Sequence, residues 1–415
     1  MKRVVFFRML MLFFLFILLF VIYISCSLYK IVRNSKEIGD TLPDSFRVEI
    51  PLIIDDRGYY CIKAKINDKS DLDFIIDTKA TNLAKEEDIK RFNANYEGTP
   101  PLSVRNIYGQ KEKLPLYYFN SFEIPPLKFN KPLFYNIPSG NHLHSMMYKN
   151  VLGVNVLKHL YWKFSIDDQR MVLFDNNNMA LQDKETSGFL QIENGLRNDN
   201  ITLNYPFDEA YGQFTLDLGF LGEISINQQE FKKINQYFNC KKILTDRANS
   251  IDTTYIFDGL KMKINTIIVP HCQLIFSEKI NRNLIGAKFM HRFNFILAYN
   301  YYKKGISSEH LYIQQIKNFE TKKSEPYVNQ FGFQFRKVKN EVIISDIEVG
   351  NGAYLMGLNV RDKIHSIDDK LLDLSSDDSF DINKYLLNRD MIRLKVIREN
   401  KIYEYQLSIK KTLVR

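Results

Sequence analysis

Two stretches of the sequence share one pattern, in which a run of β-forming residues ends at an aspartate. Residues 74–80 read FIIDTKA and place Asp77 at the end of the run, and residues 214–220 read FTLDLGF and place Asp217 there. Each aspartate opens a segment with the sequence of a turn. Two carboxylates that meet at the ends of rigid strands can share one proton and activate one water molecule.

A second motif follows each aspartate at a similar distance. Residues 151–167 read VLGVNVLKHLYWKFSID, and residues 283–297 read NLIGAKFMHRFNFIL. Each segment contains two apolar residues, a glycine (Gly153 or Gly286), a short helical stretch, an aromatic residue and a strand. Because two motifs recur in the same order, the sequence predicts an internal duplication.

Short runs of alternating apolar and polar residues predict a mainly β chain. Residues 46–54 and 59–66 predict two strands joined by a turn, and residues 104–119 predict a hairpin. Many short strands separated by turn signals are typical of all-β lobes. The polar, Asn-rich residues 175–200 predict a linker between two lobes.

On these motifs the chain resembles the bacterial retropepsin-like aspartyl proteases, in the bilobal form that pepsin has. In that family each lobe carries an apolar-apolar-Asp-Thr-Gly-Ala motif, a flap hairpin and then an Ile-Gly-x-x-Phe-Leu motif before a strand. The resemblance covers about residues 45–315. It implies two duplicated retropepsin-like β-barrel lobes, the acid-protease fold, and hydrolysis of peptide bonds.

The resemblance implies that Asp77 and Asp217 are the catalytic pair. In such a pair one carboxylate is ionised and takes a proton from water, while the other is protonated and polarises the scissile carbonyl. It also implies roles for the neighbours that support the pair and for the tip of the flap: Thr78, Lys79, Leu218 and Gly219 beside the aspartates, and Tyr108 and Gly109 in the flap.

Two residues depart from the family pattern. Lys79 stands where the family has glycine, and a positive charge there would favour the ionised form of Asp77 and disturb proton sharing. Leu218 replaces the second threonine, so one of two hydroxyls that link the turns is missing. The sequence therefore leaves two hypotheses, an active membrane-associated endopeptidase and an inactive pseudoprotease that binds peptides or partners.

The C-terminal region carries a separate resemblance, to PDZ domains. Residues 331–335, FGFQF, resemble the carboxylate-binding loop and its strand, and residues 350–368 resemble the motif that follows. Arg361 replaces a glycine common in that motif. The resemblance implies that a peptide adds to the domain as a strand. The other interpretation is a PDZ fold that only packs on the protease lobes.

The PDZ resemblance also implies which residues bind the peptide. These are Phe331, Gly332 and Phe333, whose backbone N–H groups would hold a terminal carboxylate. The implied partners of the whole chain are a peptide or protein substrate in the cleft and a C-terminal peptide on the PDZ domain.

The N-terminus carries a targeting signal. Lys2, Arg3 and Arg8 precede an apolar run from Met9 to Ile24, and with residues 4–7 this run reaches the roughly 20 residues that cross a bilayer. Positive charges before the run predict a cytoplasmic N-terminus and an exported body. The sequence thus predicts a cell-envelope protein with a transmembrane anchor that contacts the membrane.

Two alternatives to this anchor stay open. The small residues around Ser25 and Ser27 also fit a cleaved signal peptide. Cys26 also fits a lipidated N-terminal cysteine, although Tyr23 stands where a lipobox usually has leucine.

The remaining composition excludes several classes of site. The net charge of +9 is spread along the chain, so no nucleic-acid face is predicted. The cysteines and histidines lack the spacing of a zinc site, so no metal or cofactor is predicted. Cys240 and Cys272 can form a disulfide in an oxidising compartment, or they can be buried free thiols, and the sequence leaves the state of Cys61 open as well.

The predicted domains follow from these motifs. They are a membrane anchor or signal peptide (1–27), a tether (28–45), a first aspartic-protease-like lobe (46–185), a second lobe (186–320) and a PDZ domain (326–415).

Overall fold

The computed structural model covers most of the chain outside the N-terminus. It describes residues 11, 13–23, 25–26, 29, 37–67, 70–98, 101–105, 111–139, 147–175, 179–205, 211–247, 250–299, 309–324, 326–338, 341–371, 382–387 and 389–409. The mainly β fold class predicted from the sequence is confirmed.

The chain forms two compact units, and neither is one continuous segment. The first contains residues 1–200, 215–221 and 290–317, and the second contains residues 201–214, 222–289 and 318–415. Asp77 and Asp217 both belong to the first unit, since residues 215–221 return to it. The predicted lobe and PDZ boundaries stay predictions.

The strands are numbered in chain order. Before residue 200 they are β1 (Arg47–Pro51), β2 (Ile53–Ile54), β3 (Tyr60–Ile66), β4 (Ser70–Ile76), β5 (Leu83–Lys85), β6 (Asn95–Tyr96), β7 (Leu102–Arg105), β8 (Lys111–Leu114), β9 (Leu116–Tyr118), β10 (Phe122–Ile124), β11 (Leu127–Phe129), β12 (Leu133–Ile137), β13 (Asn150–Leu152), β14 (Tyr161–Ser165), β15 (Arg170–Phe174) and β16 (Leu190–Ile192).

The later strands continue this numbering. They are β17 (Ile201–Asn204), β18 (Tyr211–Leu216), β19 (Ile224–Ile226), β20 (Lys241–Arg247), β21 (Ser250–Ile264), β22 (Ile267–Ser277), β23 (Leu284–Ile285), β24 (Phe293–Tyr299), β25 (Glu309–Gln315), β26 (Phe333–Val338), β27 (Glu341–Glu348), β28 (Lys363–Ile367), β29 (Lys370–Leu371), β30 (Met391–Arg398) and β31 (Lys401–Ser408).

The helices are short and connect strands. They are α1 (Glu86–Arg91), α2 (Val154–Leu157), α3 (Met179–Thr186), α4 (Gln228–Ile234), α5 (Ala287–Met290), α6 (Gly352–Leu355) and α7 (Ile382–Leu387), with a 3₁₀ turn at Phe319–Thr321.

Two sheets build most of the first unit. Within the described residues one has the order β11-β10-β3-β4-β13-β5-β12-β9-β6, with β2 beside β3, and the other has the order β1-β15-β14-β24-β25-β16. The interior of the first sheet is aromatic: the Phe74 ring lies 5.6 Å from that of Phe122, and the Phe119 ring lies 5.1 Å from that of Phe134. Strand β4, which leads to Asp77, is therefore held in a packed core.

One sheet runs through the second unit. Its order over the described residues is β17-β18-β23-β19-β22-β21-β20-β27-β28-β30-β31, with β26 on β27 and β29 on β28. The pairing of Leu244 in β20 with Ile347 in β27 joins the C-terminal strands to the others. Strand β18 begins in this unit, and its last residues, Thr215 and Leu216, belong to the first.

A series of strand pairings recurs in the two units. In the first unit β13 pairs antiparallel with β5, and β5 pairs parallel with β12. In the second unit β23 pairs antiparallel with β19, and β19 pairs parallel with β22. A short helix and a strand follow in each case, α2 with β14 and α5 with β24.

The predicted hairpin forms, but its strands lie earlier than predicted. Strands β7 and β8 pair from Leu102 with Leu114 to Arg105 with Lys111. Pro115 ends β8 because proline has no backbone N–H to donate, and β9 then joins another sheet. The predicted flap residues Tyr108 and Gly109 lie outside the described residues.

The linker predicted over residues 175–200 is wrong for part of its length. Helix α3 forms there, and Leu190 in β16 pairs with Ile313 in β25. The Glu185 carboxylate on α3 is buried against two cations, Arg47 at 2.7 Å and Lys163 at 2.9 Å. Composition did not predict this, because the ion pairs join residues far apart in sequence.

The N-terminal apolar run is described in part. Residues 13–23 are helical with exposed side chains. Across the described residues, no helix is both long enough and apolar enough to span a bilayer. Residues 1–10, 12, 24 and 27–28 lie outside the described set, and the anchor over residues 1–27 stays a prediction.

The cysteines are thiols. The described residues include all four, and no disulfide joins Cys240 to Cys272 or either of them to Cys26 or Cys61. Of the two states that the sequence allowed, the structure therefore has the reduced one.

Gly153 lies where a side chain cannot fit. A Cβ atom at this position would come within 2.2 Å of the carbonyl oxygen of Ala80 and 2.5 Å of the backbone carbon of Thr81. The Gly153 N–H donates to the Asn82 side chain at 2.8 Å, and the Val154 N–H donates to the Ala80 carbonyl at 2.9 Å. The segment after β13 thus holds the turn that follows Asp77.

We expect Gly153→Ala to lower the free energy of unfolding by about 1–3 kcal/mol, because the obstructing atoms are backbone and cannot rotate away. Urea denaturation measures this loss. Gly352→Ala is the matched control, since its nearest obstructing atom is 4.0 Å away, and its effect should stay within about 0.5 kcal/mol. Equal effects of the two substitutions would show that Gly153 is not required for packing.

Candidate active site

Asp77 lies where β4 ends, with its carboxylate bound by the turn that follows. The backbone N–H groups of Lys79 and Ala80 both donate to Asp77 Oδ1, at 2.8 and 2.9 Å. The Asp77 N–H donates to the carbonyl of Leu152 in β13 at 3.0 Å. Both the backbone and the carboxylate of Asp77 are therefore fixed by the neighbouring backbone.

Asp217 lies at the corresponding place after β18. The Gly219 N–H donates to Asp217 Oδ1 at 3.1 Å, as the Lys79 N–H does to Asp77. The Phe220 N–H donates to the Asp217 carbonyl at 3.1 Å. The two predicted catalytic residues thus occupy similar turns, each with its Oδ1 on a backbone N–H two residues later.

The two turns contact each other at Gly219. A Cβ atom on Gly219 would lie 2.0 Å from Asp77 Oδ2 and 2.4 Å from its Cγ. No side chain fits in that space, so glycine permits the Asp77 carboxylate to approach the second turn. The structure therefore brings together two segments that are separated by about 140 residues of sequence.

Thr78 links the two turns from the first side. Its hydroxyl donates to the carbonyl of Leu216 at 3.0 Å and accepts from the N–H of Leu218 at 3.1 Å. These partners flank Asp217 on both sides. Leu218 is fully buried and has no hydroxyl, so it offers no reciprocal bond. Of the two cross-links implied by the resemblance, one is formed.

The electrostatic state of the pair follows from its burial. Desolvation and, after it, the negative charge of Asp77 together raise the pKa of Asp217 to about 7. Desolvation also raises the pKa of Asp77, although the hydrogen bonds from the N–H groups of Lys79 and Ala80 act to lower it. Two such carboxyls cannot both ionise at moderate pH, so one proton is retained between them.

Lys79 lies beside the pair, but its ammonium group is bound elsewhere. Lys79 Nζ donates to the carbonyl of Leu196 at 2.7 Å. Burial lowers the pKa of Lys79, and the carboxylates of Asp217, Glu309 and Asp77 oppose that shift. The lysine therefore occupies the predicted place next to the dyad, with a hydrogen bond that the sequence did not predict.

Two tyrosines near the pair were not predicted. Burial raises the pKa of Tyr59, and the charges of Asp77, Asp55 and Asp217 raise it further. Burial likewise raises the pKa of Tyr299, with contributions from Glu309 and Asp77. The sequence signal for Tyr59 is its place directly before β3, the strand that pairs with β4, where a side chain can reach the end of β4.

The residues predicted to bind a peptide in the PDZ resemblance lie in the second unit. Phe331 and Phe333 have buried side chains, and Gly332 has a φ of 83°. Asn329 accepts hydrogen bonds from all three N–H groups: Phe331 and Phe333 bond its side chain at 2.9 and 3.5 Å, and Gly332 bonds its carbonyl at 2.9 Å. The N–H groups assigned to a peptide carboxylate thus have an internal acceptor.

Arg361, which replaces a common glycine in the PDZ motif, keeps the backbone conformation of a glycine. Its φ is 76°, in the left-handed region. Its guanidinium forms an ion pair with the buried carboxylate of Asp246 at 2.8 Å, and Arg336 bonds the same carboxylate. The substitution therefore adds a link between the C-terminal strands and β20.

Similarity to known proteins is found among solved structures. No protein-family model matches the chain, and no curated protein matches it. Among solved structures the chain is similar to a retropepsin-like aspartic protease from Rickettsia conorii, with 19% sequence identity and a TM-score of 0.24. That match covers 32% of this chain and 94% of the other.

We expect Thr78→Val to lower the free energy of unfolding by about 1–3 kcal/mol, because the substitution leaves the buried Leu216 carbonyl and Leu218 N–H without their partner. Urea denaturation measures this loss. Thr202→Val is the matched control, since the Thr202 hydroxyl bonds the exposed Gln213 side chain. If Thr78→Val and Thr202→Val lower the free energy of unfolding equally, the hydrogen bonds of Thr78 between the turns contribute no more to stability than an exposed hydrogen bond.

Proposed function

We propose that the protein is an aspartic-type endopeptidase that hydrolyses peptide bonds with Asp77 and Asp217. One observation carries this proposal: the Asp77 carboxylate lies against Gly219 while the Thr78 hydroxyl bonds both neighbours of Asp217. This contact places two carboxyl groups in one electrostatic environment, and the pKa values of both are raised.

The reaction follows from a pair that holds one proton. The ionised carboxylate takes a proton from a water molecule as its oxygen attacks the scissile carbonyl carbon, and the protonated carboxyl gives its proton to the carbonyl oxygen. The tetrahedral intermediate then collapses. The C–N bond breaks as the carboxyl that took the proton from water gives it to the amide nitrogen, and the other carboxylate takes a proton back from a hydroxyl of the intermediate. One new carboxyl group and one new amine are released, and the pair again holds one proton.

The finer parts of the proposal concern the architecture around the pair. We propose that the two units carry duplicated retropepsin-like lobes, supported by the recurring pairings of β13, β5 and β12 with those of β23, β19 and β22. We propose a PDZ domain over residues 326–415, supported by its own buried apolar core. For this domain to bind a peptide, the N–H groups of residues 331–333 have to release their hydrogen bonds to Asn329 and donate to the peptide instead.

The location of the protein is also a proposal. Exposed apolar side chains over residues 13–23 and the positive charges before them support attachment to the membrane and an exported body. Lipidation of Cys26 is the alternative attachment. In either case the substrate is a peptide or protein in the cell envelope.

A second candidate function is a pseudoprotease that binds peptides without cleaving them. The observation that favours it is the missing hydroxyl at Leu218, which leaves one cross-link between the turns. Lys79, a cation beside the pair, also departs from the family pattern. Such a protein would retain the cleft and lack the chemistry.

We expect Asp77→Asn and Asp217→Asn each to reduce peptide cleavage at least about 100-fold, because the pair then lacks its base or its shared proton. The measurement is hydrolysis of a mixed peptide pool by the purified exported body between pH 4 and 7, with a pepstatin-type inhibitor as a second test. Asp168→Asn is the control, since Asp168 lies in an exposed turn and pairs with Arg170.

Cleavage that persists in both asparagine variants would contradict the proposal. If the native protein cleaves nothing and the double variant Lys79→Gly, Leu218→Thr does cleave, the pseudoprotease is the better account.

A further inference from the structure

The link between the two turns is formed from one side only. The Thr78 hydroxyl bonds the Leu216 carbonyl and the Leu218 N–H, and nothing equivalent extends from Leu218 to the first turn. A single buried hydroxyl then has to hold two carboxylates in place. A further set of contacts within the first unit also joins the segments of Asp77 and Asp217.

A second route runs through the residues that precede β17. Lys79 Nζ donates to the Leu196 carbonyl at 2.7 Å. Three residues later, the Asp199 N–H donates to the Thr215 hydroxyl at 2.8 Å, and this hydroxyl donates to Asp199 Oδ1 at 3.1 Å. Thr215 lies two residues before Asp217. Residues 196–199 are therefore bonded both to the first turn and to the strand that carries the second aspartate.

The connecting segment is itself anchored. Leu196 is 3% exposed, and its N–H donates to the carbonyl of Glu309 in β25 at 3.2 Å. A carbonyl held in this way is a fixed acceptor, so the hydrogen bond has to order only the Lys79 side chain and not the acceptor as well. The route from Lys79 to Thr215 is a stable connection in the structure.

Four acidic groups act electrostatically on the Lys79 ammonium and oppose the lowering of its pKa by burial. They come from its own turn, the second turn, the connecting segment and β25, and they are Asp77, Asp217, Asp199 and Glu309. Burial raises the pKa of Tyr299 on β24, and the charges of Glu309 and Asp77 raise it further. A cation among four carboxylates offsets repulsion between the two that form the dyad.

We propose that Lys79 is a positioning residue of the dyad: it braces the turn of Asp77 to the strand of Asp217 through residues 196–199 and supplies a fixed positive charge beside both carboxylates. The predicted effect of Lys79 on cleavage rests on the proposed function. The predicted effect of Lys79 on stability does not. Lys79 thereby substitutes for the hydroxyl that Leu218 lacks.

The charge has a definite effect on the pH dependence of cleavage. A cation beside the dyad favours ionisation, so its removal raises both apparent pKa values of the pair. In Lys79→Met the acidic and alkaline limits of kcat/KM should both move to higher pH, by about half a unit or more. Lys79→Arg retains the charge and should restore the native profile, and Lys158→Met, at another largely buried lysine, should leave it unchanged.

The brace has a test that requires no activity. Leu218→Thr supplies the missing hydroxyl, so its change in Tm should be more favourable in the Lys79→Met background than in the native one, because the two contacts would then compensate for each other. If Lys79→Met does not fold, Lys79→Gln takes its place in the cycle. Additive Tm changes together with an unchanged pH profile would overturn the proposal.

The two proposals fail in different ways. A native protein that cleaves nothing contradicts the proposed function, and the Tm cycle then decides on the brace alone. A native protein that cleaves, with additive Tm changes and no shift in pH profile for Lys79→Met, leaves the endopeptidase standing and removes the role of Lys79.

Discussion

The hydroxyl of Thr78 is the interaction on which the candidate site depends. It bonds the carbonyl before Asp217 and the N–H after it, so the second aspartate is held from both sides by one buried group of the first turn. Gly219 completes the contact, because only a residue without Cβ leaves room for the Asp77 carboxylate. These contacts form between the two turns and not within either one. The Asp77 and Asp217 carboxyl groups are brought together because β4 and β18 end at the same place.

Burying the Asp77 and Asp217 carboxyl groups close together costs electrostatic free energy. Nearby hydrogen-bond donors and the Lys79 ammonium reduce this cost. Burial raises the pKa values of both aspartates, and the charge of Asp77 works against ionisation of Asp217. Backbone N–H groups and the Lys79 ammonium oppose this. The outcome is a pair that retains a proton at mildly acidic pH, where one member can act as base and the other as acid. In this account Lys79 belongs to the site and does not disable it.

The sequence predicts the local parts of this arrangement and misses the tertiary ones. The ends of strands at Asp77 and Asp217 were predicted because strand and turn patterns are written in neighbouring residues, whereas Gly219 was named only through the family resemblance. The bond of Lys79 to the Leu196 carbonyl was not, since it spans 117 residues and its acceptor is a backbone atom without a sequence signal. The helix and strand within residues 175–200 were missed because Asn-rich composition indicates a loop until long-range ion pairs and strand pairing decide otherwise.

The central claim is that Asp77 and Asp217 titrate as one coupled pair, and carboxyl-carbon NMR on aspartate-labelled protein tests it most directly. In the native protein one aspartate should titrate near pH 7, the value to which burial and the charge of Asp77 raise the pKa of Asp217. In Asp77→Asn that step should move to lower pH, because the opposing charge is gone. A step that stays at the same pH in the variant, or two aspartates that both titrate near 4 in the native protein, would contradict the account.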